Sequence, residues 1–154
     1  MDSIRRESPR APDLTLLMER HTAAMHAETP PESIHMLDAS ALDVPEIAFF
    51  VMRAADGRAV GMGALKHLDA SHGEIKSMHI LAEERGRGLA RAMLSRLLEE
   101  ARARGLARLS LETGSQPGFA AARALYARAG FVECPPFEGY VEDPNSVFMT
   151  LRLA

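Results

Sequence analysis

The feature that most constrains the fold is the run from Gly73 to Arg104, which has the pattern of a strand, a turn and a helix without interruption. Apolar residues are frequent between Glu74 and Leu81, as in a partly or fully buried strand. Gly86 and Gly88 then follow where the chain must turn sharply. From Leu89 onward, apolar residues recur at helical spacing and charged residues fill the opposite face. Three consecutive elements are therefore predicted, and the rest of the chain must pack around them.

The turn before this helix is a candidate anion-binding site. A helix N-terminus has unpaired N–H groups and the positive end of the macrodipole, so a glycine-lined approach to it suits a phosphate. The same glycines could also serve only the geometry of a strand-to-helix turn, and this alternative stays open. The sequence has neither the Gly-Lys-Ser/Thr of a P-loop nor a full Gly-x-Gly-x-x-Gly with an acidic residue about 20 positions later. The common nucleotide-binding loops are therefore disfavoured.

Two segments resemble the GNAT superfamily of acyl-CoA-dependent N-acetyltransferases. Arg85-x-x-Gly88-x-Ala90, which follows an apolar strand and opens an amphipathic helix, is similar to the family signature Arg/Gln-x-x-Gly-x-Gly/Ala. The segment from Ala124 to Phe131 looks like the family's later helix, which carries an aromatic residue and ends in Gly-Phe. Two such segments in the right order are far more specific than either alone. The resemblance covers roughly Ile47 to the C-terminus, and the residues before it match only loosely.

The resemblance implies that acetyl-CoA is the acyl-donor substrate and that no metal takes part. The expected cofactor-binding residues lie on the central strand and in the turn after it: Met78, His79, Ile80, Arg85, Gly86, Arg87, Gly88, Leu89 and Ala90. One position departs from the family, because Phe119 stands where many members have an asparagine that contacts the cofactor. Any contact between this residue and the cofactor must therefore differ from the one that the asparagine makes. The six histidines show no metal-ligand spacing such as His-Glu-x-x-His.

The resemblance also implies two catalytic residues. Tyr126 stands where the family places a general acid that protonates the leaving thiolate, and its alternative role is a core aromatic. Glu112 stands where some amino-group acetyltransferases of the superfamily carry a catalytic glutamate that acts as the base. Glu74 and His79 are competing candidates for the base, and a base acting through water is a further one. Glu112 could instead be an ordinary surface carboxylate or pack against an arginine.

Length, charge and cysteine content narrow the classes of protein and the partners that the sequence allows. A chain of 154 residues predicts a single domain over residues 1–154, with a sizeable core. The formal net charge of −3 provides no general attraction to nucleic acid or to an anionic membrane. The N-terminus lacks the apolar segment of a signal peptide, so a cytoplasmic protein is expected. Cys134 is the only cysteine, which excludes an intramolecular disulfide, and a structural role is favoured over a nucleophilic one.

The order of the predicted elements favours an α/β fold, and the resemblance makes this a GNAT-like mixed, mostly antiparallel central sheet flanked by helices. Asp56-Gly57 predicts a hairpin turn, and a second turn at Asp69–Gly73 leads into the central strand. The other predicted elements are a strand at Ser3–Arg6, a helix from Pro12 to about Ala27, a helical turn at Ser40–Asp43, strands at Ile47–Arg53, Arg58–Leu68 and 107–113, a helix at 119–129, and strands at Phe131–Cys134 and 147–153.

The resemblance therefore implies an enzyme that transfers the acetyl group of acetyl-CoA to a primary amine by direct attack. The expected acceptor is a small molecule or an amino-acid-like substrate. One alternative is acetylation of the N-terminal α-amine of a protein. An alternative from another class is a non-catalytic acyl-CoA-binding module. A homodimer stays open, and no nucleic-acid or membrane partner is expected.

Overall fold

The computed structural model describes residues 3–35 and 37–153, which form a sheet flanked by helices. The strands are β1 Ser3–Arg6, β2 Ile47–Arg53, β3 Ala59–His67, β4 His72–Ile80, β5 Arg108–Gly114, β6 Val132–Glu133 and β7 Ser146–Arg152. The α-helices are α1 Thr15–Glu28, α2 Ala39–Leu42, α3 Leu89–Ala103 and α4 Ala120–Arg128. None of the helices within these described ranges is long and apolar enough to cross a membrane.

The seven strands form one sheet in the order β1-β2-β3-β4-β5-β7-β6. Strands β2, β3 and β4 form an antiparallel meander, as the two predicted turns require. Strands β4 and β5 are parallel, and the crossover between them contains α3. The remaining pairs are antiparallel. The predicted mixed, mostly antiparallel sheet is therefore confirmed.

The sheet is buried on both faces, and β2 illustrates why. Phe50 is fully buried in the core that includes α3 and α4, whereas Phe49 and Val51 point to the opposite core, which includes α1 and α2. Side chains alternate across a strand, so a strand covered on both faces reads as a continuous apolar run. Gly63 on β3 lets Met93 of α3 approach the sheet closely, because a Cβ at that position would lie 3.0 Å from the Met93 side chain.

Element boundaries differ from the predicted ones where side chains or helix ends intervene. Strand β4 begins at His72, within the predicted turn, because the Asp69 carboxylate accepts the N–H groups of Ser71 and His72 and tightens the turn. Strand β6 is shorter than predicted and does not include Phe131. The Phe131 N–H instead donates to the carbonyl of Tyr126 and closes the end of α4. The first helix begins with a single 3₁₀ turn at Pro12–Leu14 before α1.

Candidate active site

The two parallel strands separate at the centre of the sheet. Their pairing runs from His72 opposite Arg108 to Ile75 opposite Leu111, although β4 continues to Ile80 and β5 to Gly114. A cavity of about 1280 Å³ lies at this separation and is lined by residues of α1, β4, α3, β5 and α4. Backbone groups of β4 beyond the split are thereby exposed to a ligand that lies alongside the strand.

A bulge in β4 lies within this cavity wall. Met62 pairs with His79 and Ala64 pairs with Lys76, so Gly63 on β3 faces both Ser77 and Met78 on β4. Ser77 has a φ of 56°, a left-handed conformation that costs a non-glycine residue of order 1 kcal/mol. A bulge turns the strand and re-aims its backbone groups. The bulge therefore sets the direction of the β4 N–H and C=O groups next to the split.

The turn before α3 forms one end of the cavity. Gly86 has a φ of 84° and Gly88, the residue that precedes the helix, has a φ of 76°. A Cβ added to either glycine would meet no atom within 4 Å, so the space beside them is open. The Ala92 N–H donates to the Gly88 carbonyl, which leaves the N–H groups of residues 89–91 without a partner inside the helix. These donors, at the positive end of the helix, suit a phosphate.

The structure brings most of the predicted cofactor residues together. The cavity wall includes Met78, His79, Ile80, Arg85, Gly86, Gly88, Leu89 and Ala90. Arg85 also ties the turn to β4, because its Nε donates to the Ile80 carbonyl at 3.3 Å. Arg87 is not among the lining residues of the described chain, and its guanidinium pairs with Glu84. The role of Arg87 in binding the cofactor stays a prediction.

Tyr126 lies on α4 and lines the same cavity. Its side chain is part of the core, and its ring packs edge-on against Phe131 with 5.7 Å between ring centroids. Within the described part of the chain, no hydrogen bond engages the Tyr126 hydroxyl. Burial raises the pKa of this phenol above its ordinary value, so it is protonated at neutral pH. The residue combines a packed ring with a hydroxyl group that is available to a ligand.

Glu112 lies on β5, just beyond the point where β4 and β5 separate. Burial raises the pKa of its carboxyl group to about 7, although the Ser146 hydroxyl and the Lys76 charge act in the opposite direction. The nearby carboxylates of Glu74 and Asp143 raise it further. A carboxyl group with a pKa near 7 is a better proton acceptor at neutral pH than an ordinary glutamate. Glu112 is therefore not an ordinary surface carboxylate, which was the alternative to a catalytic role.

This burial predicts a pH-dependent effect on stability. The carboxyl pKa is about 7 in the folded protein against an ordinary value of 4.5, so wild type should lose stability as the pH rises between these values. We expect the unfolding free energy of Glu112→Gln, taken relative to that of wild type, to rise by about 3 kcal/mol between pH 4.5 and pH 8. Urea unfolding at several pH values measures it. The exposed Glu99→Gln serves as the control, and an equal trend in both variants would contradict the burial of Glu112.

A buried polar cluster that sequence reasoning missed lies beside Glu112. The Tyr140 hydroxyl donates to Glu74 Oε2 at 2.6 Å and accepts a hydrogen bond from Lys76 Nζ at 2.9 Å. Lys76 also pairs with Glu74 at 3.2 Å, and both side chains are less than a tenth exposed. Glu74 and Lys76 stand on the predicted central strand, but Tyr140 follows 66 residues later in a segment without periodicity. Only the fold joins them.

His21 and His79 form a second buried pair, with 5.3 Å between their ring centroids. Burial lowers the pKa of each imidazole to about 4, so both rings are neutral at pH 7. Both residues line the cavity. A neutral ring with so low a pKa is a weak proton acceptor at neutral pH, which disfavours His79 as the base.

Phe119 and Cys134 were also singled out in the sequence. Phe119 lines the cavity, and its ring lies so close to Gly114 that any side chain there would overlap it. A ring therefore occupies the position of the family's asparagine. Cys134 is not part of the cavity wall in the described structure, and burial raises the pKa of its thiol. Both observations agree with a structural role for this cysteine.

Comparison with known proteins places this geometry in context. The model of the Acetyltransferase (GNAT) family matches residues 14–131. The chain is 50% identical over 137 residues to "Uncharacterized N-acetyltransferase YsnE" of Bacillus subtilis (strain 168), which covers 89% of this chain and 90% of that relative. It is 40% identical over 149 residues to "IAA acetyltransferase" of Azospirillum brasilense, with 96% and 95% covered.

A solved structure with acetyl-CoA bound has the same fold. The crystal structure of a GNAT family acetyltransferase from Elizabethkingia anophelis matches with a TM-score of 0.71 and covers 98% of this chain and 97% of that one. Its sequence identity is 16%, so the likeness concerns the fold alone.

Proposed function

The chain belongs to the acetyltransferase (GNAT) family, and we propose that it transfers the acetyl group of acetyl-CoA to the primary amine of a small molecule or an amino-acid-like substrate. The observation that carries the proposal is one continuous cavity. It joins the phosphate-suited turn at Gly86 and Gly88 to Tyr126 and Glu112. A donor with phosphates at one end and a reactive thioester at the other fits this arrangement.

The donor lies along β4 in this proposal. From Lys76 to Ile80, the part of β4 beyond its pairing with β5, the strand spans about 13 Å at 3.3 Å per residue, and the turn before α3 follows directly. The unpaired N–H groups at the start of α3 hold the pyrophosphate. Backbone groups of residues 78–80 bind the extended pantetheine arm as an added strand would. An N–H group at the bulge then donates to the thioester oxygen as negative charge develops there.

Glu112 acts as the base that takes a proton from the acceptor ammonium group. The neutral amine then attacks the thioester carbonyl carbon and forms the new C–N bond, and the extra proton on the nitrogen passes to solvent before the tetrahedral intermediate collapses to the amide. Two rival bases are less suited: the Glu74 carboxylate is held by Tyr140 and Lys76, and the His79 imidazole has its pKa lowered to about 4. A raised pKa brings the Glu112 carboxyl group close to neutral pH, where a general base is most effective.

Tyr126 acts as the acid when the C–S bond breaks. Its O–H proton moves to the departing thiolate, and solvent returns a proton to the phenolate. Burial raises the pKa of Tyr126, which by itself weakens it as an acid. The same apolar surroundings would raise the pKa of the thiol, because both groups are anionic when deprotonated. The pKa of the Tyr126 phenol and the pKa of the leaving thiol therefore shift in the same direction.

The proposal is tested by thiol release from acetyl-CoA with a panel of amines, measured between pH 6 and pH 10 for wild type and Glu112→Gln. We expect the variant to lose most rate where the acceptor amine is protonated, by roughly 100-fold or more. The loss should shrink as free amine becomes abundant at high pH. A loss of equal size at every pH would mean that Glu112 is not the base. If no amine causes thiol release, the protein does not transfer the acetyl group to an amine, and the proposed function is wrong.

Three alternatives belong in the same assay. A short peptide with a free N-terminus tests acetylation of a protein α-amine, and IAA tests the acceptor that the Azospirillum relative is named for. A protein that binds acetyl-CoA but releases no thiol with any acceptor would be the non-catalytic binding module. The single domain over residues 1–154, the cytoplasmic location and the absence of a metal remain predictions.

A further inference from the structure

We propose that the acceptor is a primary amine with no free carboxylate next to the amino group, so that amines and amino-acid amides are substrates and the matching amino acids are not. The inference rests on the proposed transfer to an amine. It concerns the acceptor end of the cavity, defined here as His35, Glu74, Lys76, Glu112 and Tyr140. The polar groups at this end decide which charges an acceptor can carry beside its amine.

The one ammonium group at the acceptor end is already occupied. An ammonium group has three N–H donors, and Lys76 Nζ has three acceptors: the Tyr140 hydroxyl at 2.9 Å, Glu74 at 3.2 Å and the His35 carbonyl at 3.5 Å. The Glu74 carboxylate also neutralises the charge of Lys76, and both side chains are less than a tenth exposed. A substrate carboxylate would have to displace one of these partners and leave another charge unpaired.

The other cations of the cavity wall lie elsewhere. Arg85 is in the turn before α3, and Arg91 and Arg128 are on α3 and α4. Arg85 and Arg91 belong to the part of the wall that suits phosphates, and Arg128 lies in the last turn of α4, where its Nε donates to the Ala124 carbonyl. His35 at the acceptor end has a carboxylate neighbour: the Ser33 hydroxyl, the Asn145 N–H and the nearby His35 ring hold the pKa of Asp143 below its usual value. Asp143 does not line the cavity in the described structure, but it adds a negative charge near His35.

The remaining charges at the acceptor end of the cavity are negative. Lys76 neutralises Glu74, so the charge that faces the acceptor position is that of Glu112, and Asp143 contributes to the field at Glu112. An acceptor ammonium group gains from these carboxylates, whereas a carboxylate beside it is repelled. The walls contributed by His35 and Tyr140 are aromatic rings, packed edge-on with 5.0 Å between their centroids. Such walls suit an uncharged or aromatic substituent.

Matched acceptor sets test the inference. The first set is 2-phenylethylamine, phenylalanine amide and phenylalanine, and the second is ethylamine, alanine amide and alanine. Thiol release with wild-type protein gives kcat/KM for each, divided by the fraction of free amine at the assay pH. We expect the carboxylate-bearing member of each active set to be at least about tenfold poorer than the other two. Equal or faster transfer to the amino acids would overturn the inference and leave the transferase assignment intact.

A charge variant gives a second readout. Glu74→Gln leaves the Lys76 ammonium group without its carboxylate partner, so it should attract a substrate carboxylate. We expect the ratio of amino-acid to amine activity to rise at least about tenfold, while the exposed Glu99→Gln keeps the wild-type ratio. An unchanged ratio in a folded Glu74→Gln protein would overturn the inference. If this variant does not fold, the wild-type acceptor sets decide. No transfer to any primary amine by acetyl-CoA-bound protein would overturn the proposed function and the inference with it.

Discussion

Tyr126→Phe is expected to lower turnover by about 100-fold, within a range of roughly 10- to 10,000-fold for a lost general acid. The hydroxyl is proposed to act on the sulfur only as the C–S bond breaks, so the loss should fall on kcat and leave acetyl-CoA affinity nearly unchanged. Steady-state thiol release measures turnover, and the melting-temperature shift with acetyl-CoA measures binding.

The structure makes this substitution a clean probe. Phenylalanine keeps the ring that packs against Phe131, and the hydroxyl that it removes makes no hydrogen bond in the described structure. The unfolding free energy of the variant should therefore lie within about 1 kcal/mol of wild type. Wild-type turnover would refute the acid role. A variant that unfolds or no longer binds acetyl-CoA would instead identify Tyr126 as a structural residue of the core.

Gly88→Glu is expected to abolish the stabilisation of the protein by acetyl-CoA. At about 100 times its dissociation constant, acetyl-CoA should add roughly 2.7 kcal/mol to wild type. For a chain of this size that is a melting-temperature rise of about 5 to 10 °C. A glutamate at residue 88 would place a side chain and a negative charge where the unpaired N–H groups of α3 receive the phosphates.

Gly105→Glu provides the matched control at the other end of α3. Gly105 has a φ of 75° against 76° for Gly88, and a Cβ at either position would meet no atom within 4 Å. Both variants therefore carry the same backbone strain, but Gly105 does not line the cavity. We expect Gly105→Glu to lose stability and keep the full shift with acetyl-CoA. A wild type that does not respond to saturating acetyl-CoA, or a Gly88→Glu variant that does, would contradict the assignment of the turn.

Local sequence patterns determined much of the fold. The strand, the glycine turn and α3 could be predicted because strand and helix periodicities act over a few neighbouring residues, and positive φ at Gly86 and Gly88 requires only the absence of a Cβ. The hairpin at Asp56-Gly57 followed in the same way. Arg85, Gly86, Gly88 and Tyr126 were identified by two short segments, and all four line one cavity.

The tertiary structure alone decided how the site is charged. Periodicity indicates that Glu112 stands on a strand, but its pKa depends on its burial and on the charges that Lys76, Glu74 and Asp143 bring from two other parts of the chain. The contact of Tyr140 with Glu74 and Lys76 likewise joins residues far apart in sequence. Desolvation and Coulomb energies depend on every neighbour in space, and no local pattern of residues encodes those neighbours. The same holds for the separation of β4 from β5 beyond Ile75 and Leu111, which opens the cavity.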